Sequence, residues 1–155
     1  MLYTNEINEI IAPPWNAVLG EARCKILRDQ LEAFVRGGPI SIAQNPRKAK
    51  LAYMSRLHST ARGIWDIRSR GPRPGIRVLG AFSEPDVFIA LSWHRRGCLG
   101  EYGSFEWEAA IKDAQAKWDS IIKYAPVITP GPLSKEIIHE RYISENFDLI
   151  GGVNG

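Results

Sequence analysis

Between Ile64 and Arg96 apolar and polar residues alternate in three successive runs, and each run carries arginine on its polar side. A strand's side chains alternate between the two faces of a sheet, so this pattern predicts strands over about 64–70, 76–83 and 86–95. In the first, Trp65 and Ile67 oppose Asp66, Arg68 and Arg70; in the second, Ile76, Val78 and Phe82 oppose Arg77. In the third, Val87, Ile89, Leu91 and Trp93 oppose Ser92, His94 and Arg96. The connections are short: Gly71–Gly75 is a stiff loop that projects Arg73, and Ser83–Asp86 is a tight turn. Short connections imply an antiparallel meander, and such sheets commonly bury one face only. The reading is an α+β fold: a small antiparallel three-strand sheet with helices packed on one face and a cationic cluster on the other. An N-terminal strand is a further option, since Ile7, Ile10 and Ile11 suit a short strand or an opening turn.

Helical patterns flank the sheet. After Pro13-Pro14, apolar residues from Trp15 to Val35 recur at helical spacing, and Gly37-Gly38-Pro39 ends that run. Cys24 falls off the main stripe and reads as structural. Asn45-Pro46 marks a turn, and Lys48 to His58 reads as a short helix carrying Lys48, Lys50 and Arg56. Ser104 is placed to cap a helix whose stripe is Trp107, Ile111, Ala114, Trp118, Ile121 and Ile122. Pro126 ends it, and Ser134 opens a last short helix before Gly151-Gly152. The expected organisation is a single domain over 1–125, with a proline-rich linker and a short helical tail over 126–155. That tail, through Ile137, Ile138, Tyr142, Ile143 and Phe147, either extends the core or masks the basic face.

Charge is distributed unevenly. Residues 47–96 hold eleven Lys/Arg against three acids, a net of +8, whereas residues 1–46 carry −1 and residues 97–155 carry −4. A basic middle third without a basic amphipathic helix points to an anionic partner, nucleic acid before membrane. No apolar run approaches the roughly 20 residues needed to span a bilayer, and the polar N-terminus suits neither a signal nor a transit peptide. Two cysteines without metal-ligand spacing make a reducing cytoplasm the expected location.

The chain has no phosphate-binding Gly-Lys-Ser/Thr loop, no nucleophile elbow and no CxxC, and His139 lacks the second histidine of a zinc-protease motif. Neither a metal nor a cofactor is expected. Arginine remains, and its planar fork suits phosphate. Arg68, Arg77 and Arg96, drawn from three successive runs, can converge on a phosphodiester and stabilise charge developing on it. RNA carries its own nucleophile in the 2′-hydroxyl, so an enzyme need only align it, take its proton and protonate the leaving 5′-oxygen. His94, on the face of Ser92, and Tyr102, just past the third strand, are the candidates for proton handling. Tyr102 also suits stacking on a base.

Trp65-Asp66-Ile67-Arg68, then Gly75-Ile76-Arg77-Val78-Leu79, then Val87–Arg96 followed by Tyr102, resembles the RelE/HigB-type toxins of bacterial toxin–antitoxin systems. The resemblance implies cleavage of messenger RNA, often within the ribosome, held off by a cognate antitoxin. By position it makes Arg77 a phosphate-binding residue and Arg68 a basic first-strand residue, and it makes Arg96 and Tyr102 a catalytic pair at the family's spacing. Arg70, Arg73 and Arg95, with Lys48 and Lys50, are then expected to grip RNA. The likeness covers about residues 48–118. Asp66 stands where some members have lysine, and it suits a cationic face only if it pairs with Arg77 or Arg96. The longer 71–75 connection, the first 45 residues and the tail beyond about 125 also depart from the family pattern. Two other readings stay open: a non-catalytic toxin of the same fold acting on a protein target such as gyrase, and a nucleic-acid-binding module without enzymatic activity.

Overall fold

A computed structural model describes residues 1–45, 51–57 and 62–151. In chain order its elements are β1 (Leu2–Tyr3), α1 (Asn5–Ile10), α2 (Glu21–Val35), β2 (Ile40–Ala43), β3 (Met54–Arg56) and β4 (Trp65–Arg68). There follow β5 (Ile76–Glu84), β6 (Val87–Arg95), a 3-10 turn (Arg96–Cys98), α3 (Phe105–Ile121), α4 (Lys135–Arg141) and β7 (Phe147–Ile150). The strands form one seven-stranded sheet in the order β1-β6-β5-β4-β3-β2-β7.

The expected meander is its centre: β4 pairs antiparallel with β5, and β5 with β6. Around it the sheet is larger and mixed. β3 adds antiparallel to β4, while β1 on β6 and both β3 and β7 on β2 pair in parallel. This corrects the expectation of a small antiparallel three-strand sheet. The helix read over 48–58 is corrected as well, since its described part contains β3, whose Met54, Ser55 and Arg56 are all buried. A strand covered on both faces does not alternate in polarity, so sequence periodicity cannot reveal it.

Helices cover both faces, not one. Trp65, Ile67, Ile76, Val78, Phe82 and Phe88 join α2 (Cys24, Leu27, Leu31, Phe34) and α4 (Ile138, Tyr142) in one core. Leu79, Ala81, Ile89 and Leu91 join α3 (Trp107, Ile111, Ala114, Trp118) in a second core on the opposite face. Cys24 is fully buried and so belongs to the apolar stripe of α2. That helix starts later than the apolar spacing suggests. Asn16 Oδ1 accepts hydrogen bonds from the amides of Val18 and Leu19, at 3.0 Å each, and Gly20 takes a φ of +82°. A side chain that mimics a turn holds this segment out of the helix.

A bulge redirects β6. Leu79 pairs with Ser92 but Gly80 pairs with Ala90, so Leu91 is the extra residue. Trp93 therefore packs on the α2 side, while Ile89 and Leu91 pack under α3, which corrects their expected sharing of one face. Gly80 makes the bulge possible: a Cβ there would lie 2.2 Å from the Ile89 carbonyl oxygen.

The tail closes the other edge. The Tyr142 ring packs tilted against that of Trp65, with centroids 4.9 Å apart, within the first core, and β7 pairs with β2 from Ile40–Phe147 to Ala43–Ile150. The guanidinium of Arg56 donates to the carbonyls of Thr129 and Gly131, at 2.9 and 2.5 Å, and ties the 126–134 segment to the sheet. No helix among the described residues is long and apolar enough to cross a membrane.

Candidate nucleic-acid interface

On the α3 side of the sheet the apolar end is sealed by α3, and the polar end opens into a cleft of about 1080 Å³. Arg68, Arg70, Arg73, Arg77, Arg96, Glu101 and Tyr102 are among its lining residues. Five arginines against one carboxylate make the wall strongly cationic.

Asp66 lies beneath the floor. It is fully buried on β4, where its Oδ1 accepts a hydrogen bond from Ser55 Oγ of neighbouring β3. Its Oδ2 lies 3.4 Å from Arg68 Nε, 3.5 Å from Arg77 Nε and 3.4 Å from the Tyr102 hydroxyl. The carboxylate that fits least with a cationic face is thus the anchor of that face: it pairs with Arg68 and Arg77. Arg68 also donates to Ser55 Oγ and the Tyr102 hydroxyl, at 3.1 Å each. Arg77 donates no hydrogen bond to a described residue beyond this ion pair, and its 15% exposed side chain lines the cleft. Burial lowers its pKa against the opposing pull of Asp66 and Tyr102, but a guanidinium starts so high that it stays charged.

Arg96 leaves β6 in the 3-10 turn and not in the strand itself. It donates to the Gly100 carbonyl at 2.6 Å, and its guanidinium carbon lies 5.9 Å from the ring centres of both Tyr102 and Trp107. Tyr102 stacks on Trp107, with centroids 4.6 Å apart and planes at 20°. α3 thereby fixes the phenol, since Trp107 is locked in the second core. Burial first, then Asp66, raises the Tyr102 pKa above the ordinary phenol value, although three arginines oppose the shift. The phenol is therefore protonated near neutral pH.

The remaining candidates divide. Arg70 and Arg73 line the cleft at its mouth, and Arg70 donates to the Leu51 carbonyl at 2.6 Å. Arg95 is exposed at the end of β6 and does not line the cleft. Lys48, Lys50 and His58 lie outside the described residues. His94 stands directly across from Arg77 in the β5–β6 pairing, but it does not line the cleft. Its Nε2 is 3.2 Å from Ser92 Oγ, and its charged surroundings are Asp113, Glu6 and Lys117. Burial lowers its pKa more than Asp113 and Glu6 raise it.

Four supporting residues escaped the sequence reading because their roles depend on distant backbone. Arg23 of α2 donates to the carbonyls of Pro72, Arg73 and Pro74 at 3.2, 2.9 and 3.3 Å, holding the loop that carries Arg73. Gln30, two turns along, donates to the Arg68 carbonyl and accepts from the Arg70 amide, at 3.0 Å each. Ser55 became visible only once β3 was placed beside β4, and Glu101 only once the cleft was closed by its loop. Among the described residues no group of three or more His, Cys, Asp or Glu side chains is placed to hold a metal ion.

Comparison with family models, with curated proteins and with solved structures finds no match to this chain.

Proposed function

We propose that the cleft is the active site of a metal-independent endoribonuclease with RelE/HigB-like toxin chemistry. One observation carries the reading. Two guanidinium groups and a phenol, from β4, β5 and the segment after β6, meet a single buried carboxylate at the floor of an open cleft, and a third guanidinium, Arg96, lies 5.9 Å from the ring of that phenol. Three cations over one anion leave two positive charges in excess where a phosphodiester would seat. Arg77 turns Nε toward Asp66 while its partly exposed side chain lines the cleft, which suits contact with phosphate oxygens.

The 2′-oxygen bonds to phosphorus as the bond to the 5′-oxygen breaks, giving a 2′,3′-cyclic phosphate and a 5′-hydroxyl. Arg77 and Arg96 neutralise the charge that grows on the phosphoryl oxygens. Tyr102, kept protonated, gives its proton to the 5′-oxygen, and Arg68 stabilises the phenolate left behind. A hydrogen-bonded chain of Tyr102, Arg68, Ser55 and Asp66 holds that phenol in place. In a toxin setting the basic cleft is also the surface that a cognate antitoxin would cover.

The test is cleavage of end-labelled RNA, both free and as a reporter message in a translating extract. Arg77→Ala and Arg96→Ala are each expected to lower the single-turnover rate by roughly 10²–10³-fold. Salt-sensitive binding with no cleavage in either format would leave a nucleic-acid-binding module. Growth arrest that survives loss of the arginines would point to a protein target instead.

A further inference from the structure

We propose that Glu101 is the general base that takes the 2′-hydroxyl proton; this rests on the ribonuclease reading above. That reading names an acid, Tyr102, and cations, but no base, and arginine does not release its proton near neutral pH. Asp66 is excluded by its position: it is fully buried and engaged by Ser55, Arg68, Arg77 and Tyr102. His94 does not line the cleft. Glu101 does, and it is the only carboxylate among the described residues that line it.

Two features mark Glu101 as more than a rim charge. It shares the cleft with five arginines yet forms no ion pair with any described residue, and its side chain is exposed. Its backbone is also held. The preceding Gly100 carbonyl takes the Arg96 guanidinium at 2.6 Å, and the Glu101 carbonyl accepts from the Ser104 amide at 3.0 Å. The next residue is Tyr102, clamped on Trp107. Base and acid therefore stand on one short, anchored loop. Glu101 is exposed toward the mouth, while the Tyr102 hydroxyl sits at the floor. In-line displacement asks for base and acid on opposite sides of the phosphorus, and a phosphate held by Arg77 and Arg96 would seat between these two groups.

The protons balance: one passes from the 2′-hydroxyl to the Glu101 carboxylate and one from Tyr102 to the 5′-oxygen, and water resets both groups. The experiment compares wild type with Glu101→Gln and Glu101→Asp, measuring single-turnover cleavage of a short mixed-sequence RNA and binding of its uncleavable 2′-O-methyl analogue. Glu101→Gln is expected to cut cleavage by about 10²-fold or more. Its affinity for the analogue should be unchanged or tighter. Glu101→Asp, which keeps the carboxylate, should retain more of the rate than Glu101→Gln. Cleavage by Glu101→Gln within about threefold of wild type, or a loss matched by equal loss of analogue binding, would overturn the assignment. A wild-type protein that binds the analogue but cleaves nothing overturns the ribonuclease reading, and the base with it.

Discussion

Two charged clusters lie on the same face of the same sheet, and they are built to opposite ends. At the cleft, Arg68 and Arg77 pair with one carboxylate, Asp66, and Arg96 stands beside them 5.9 Å from the Tyr102 ring, which leaves an excess of two positive charges. Beside α3, Lys117 lies 2.6 Å from Glu6 and 2.9 Å from Asp113, and His94 faces the same group. There one lysine meets two carboxylates, and the imidazole beside them is kept neutral by burial. The second cluster meets its own needs by pairing: it clasps α1 and α3 over β6. The first cannot, because its surplus is cationic, partly exposed and open to a large cleft. A charge surplus facing solvent is the mark of a site that waits for a ligand, and proximity of ionisable groups alone is not.

The comparison can be broken most forcefully at Asp66. Removing one partner of a buried pair strands the other, so Asp66→Ala should cost about 3–5 kcal/mol of unfolding free energy, measured by urea denaturation. A cost below about 1 kcal/mol would mean that the arginines do not depend on this carboxylate for their place in the fold.

His94 sharpens the contrast from the other side. His94→Gln should leave RNA cleavage within about twofold of wild type, while Arg77→Ala abolishes most of it. Its effect belongs to stability. With a folded pKa below the unfolded value of about 6.5, the unfolded chain binds the proton first. Stability should then be complete above that value and fall as the pH drops below it, levelling off once the folded form is also protonated. Denaturation midpoints between pH 8 and pH 5 should show a smaller decline in His94→Gln. An undiminished slope would assign the pH dependence elsewhere.

The smallest effect is at the mouth. If Arg73 contacts a phosphate flanking the reacting one, Arg73→Ala should reduce the slope of log affinity against log salt by about 0.7 for single-stranded RNA. An unchanged slope would restrict phosphate contact to the floor.

The centre of the sheet was legible because β4, β5 and β6 alternate apolar and polar residues toward the cleft and are joined by short connections, although both faces are apolar where α3 covers them. The start of α3 was legible too, because Ser104 caps it, accepting from the Trp107 amide at 3.3 Å, whereas its end lies at Ile121, before the expected stop at Pro126. Convergence of Arg68 and Arg77 also followed from strand parity, as did the placing of Asp66 on their side. β3 and β7 were not legible. β3 is short and buried on both faces, and β7 finds its partner, β2, more than a hundred residues earlier. Parity also puts His94 on that face, across from Arg77, but says nothing of which helix covers it, and it does not line the cleft.

Local patterning alone was enough to determine where the cations concentrate, which strands carry them and which residues lie back to back. Those features depend on a two-residue repeat and on neighbours in the chain. Tertiary structure decided which part of that face stays open, because only the docking of α3 separates the sealed end from the cleft. It also decided the role of Asp66. Whether a buried carboxylate repels a substrate or anchors the arginines depends on distances of a few ångströms between strands, and no single strand carries that information.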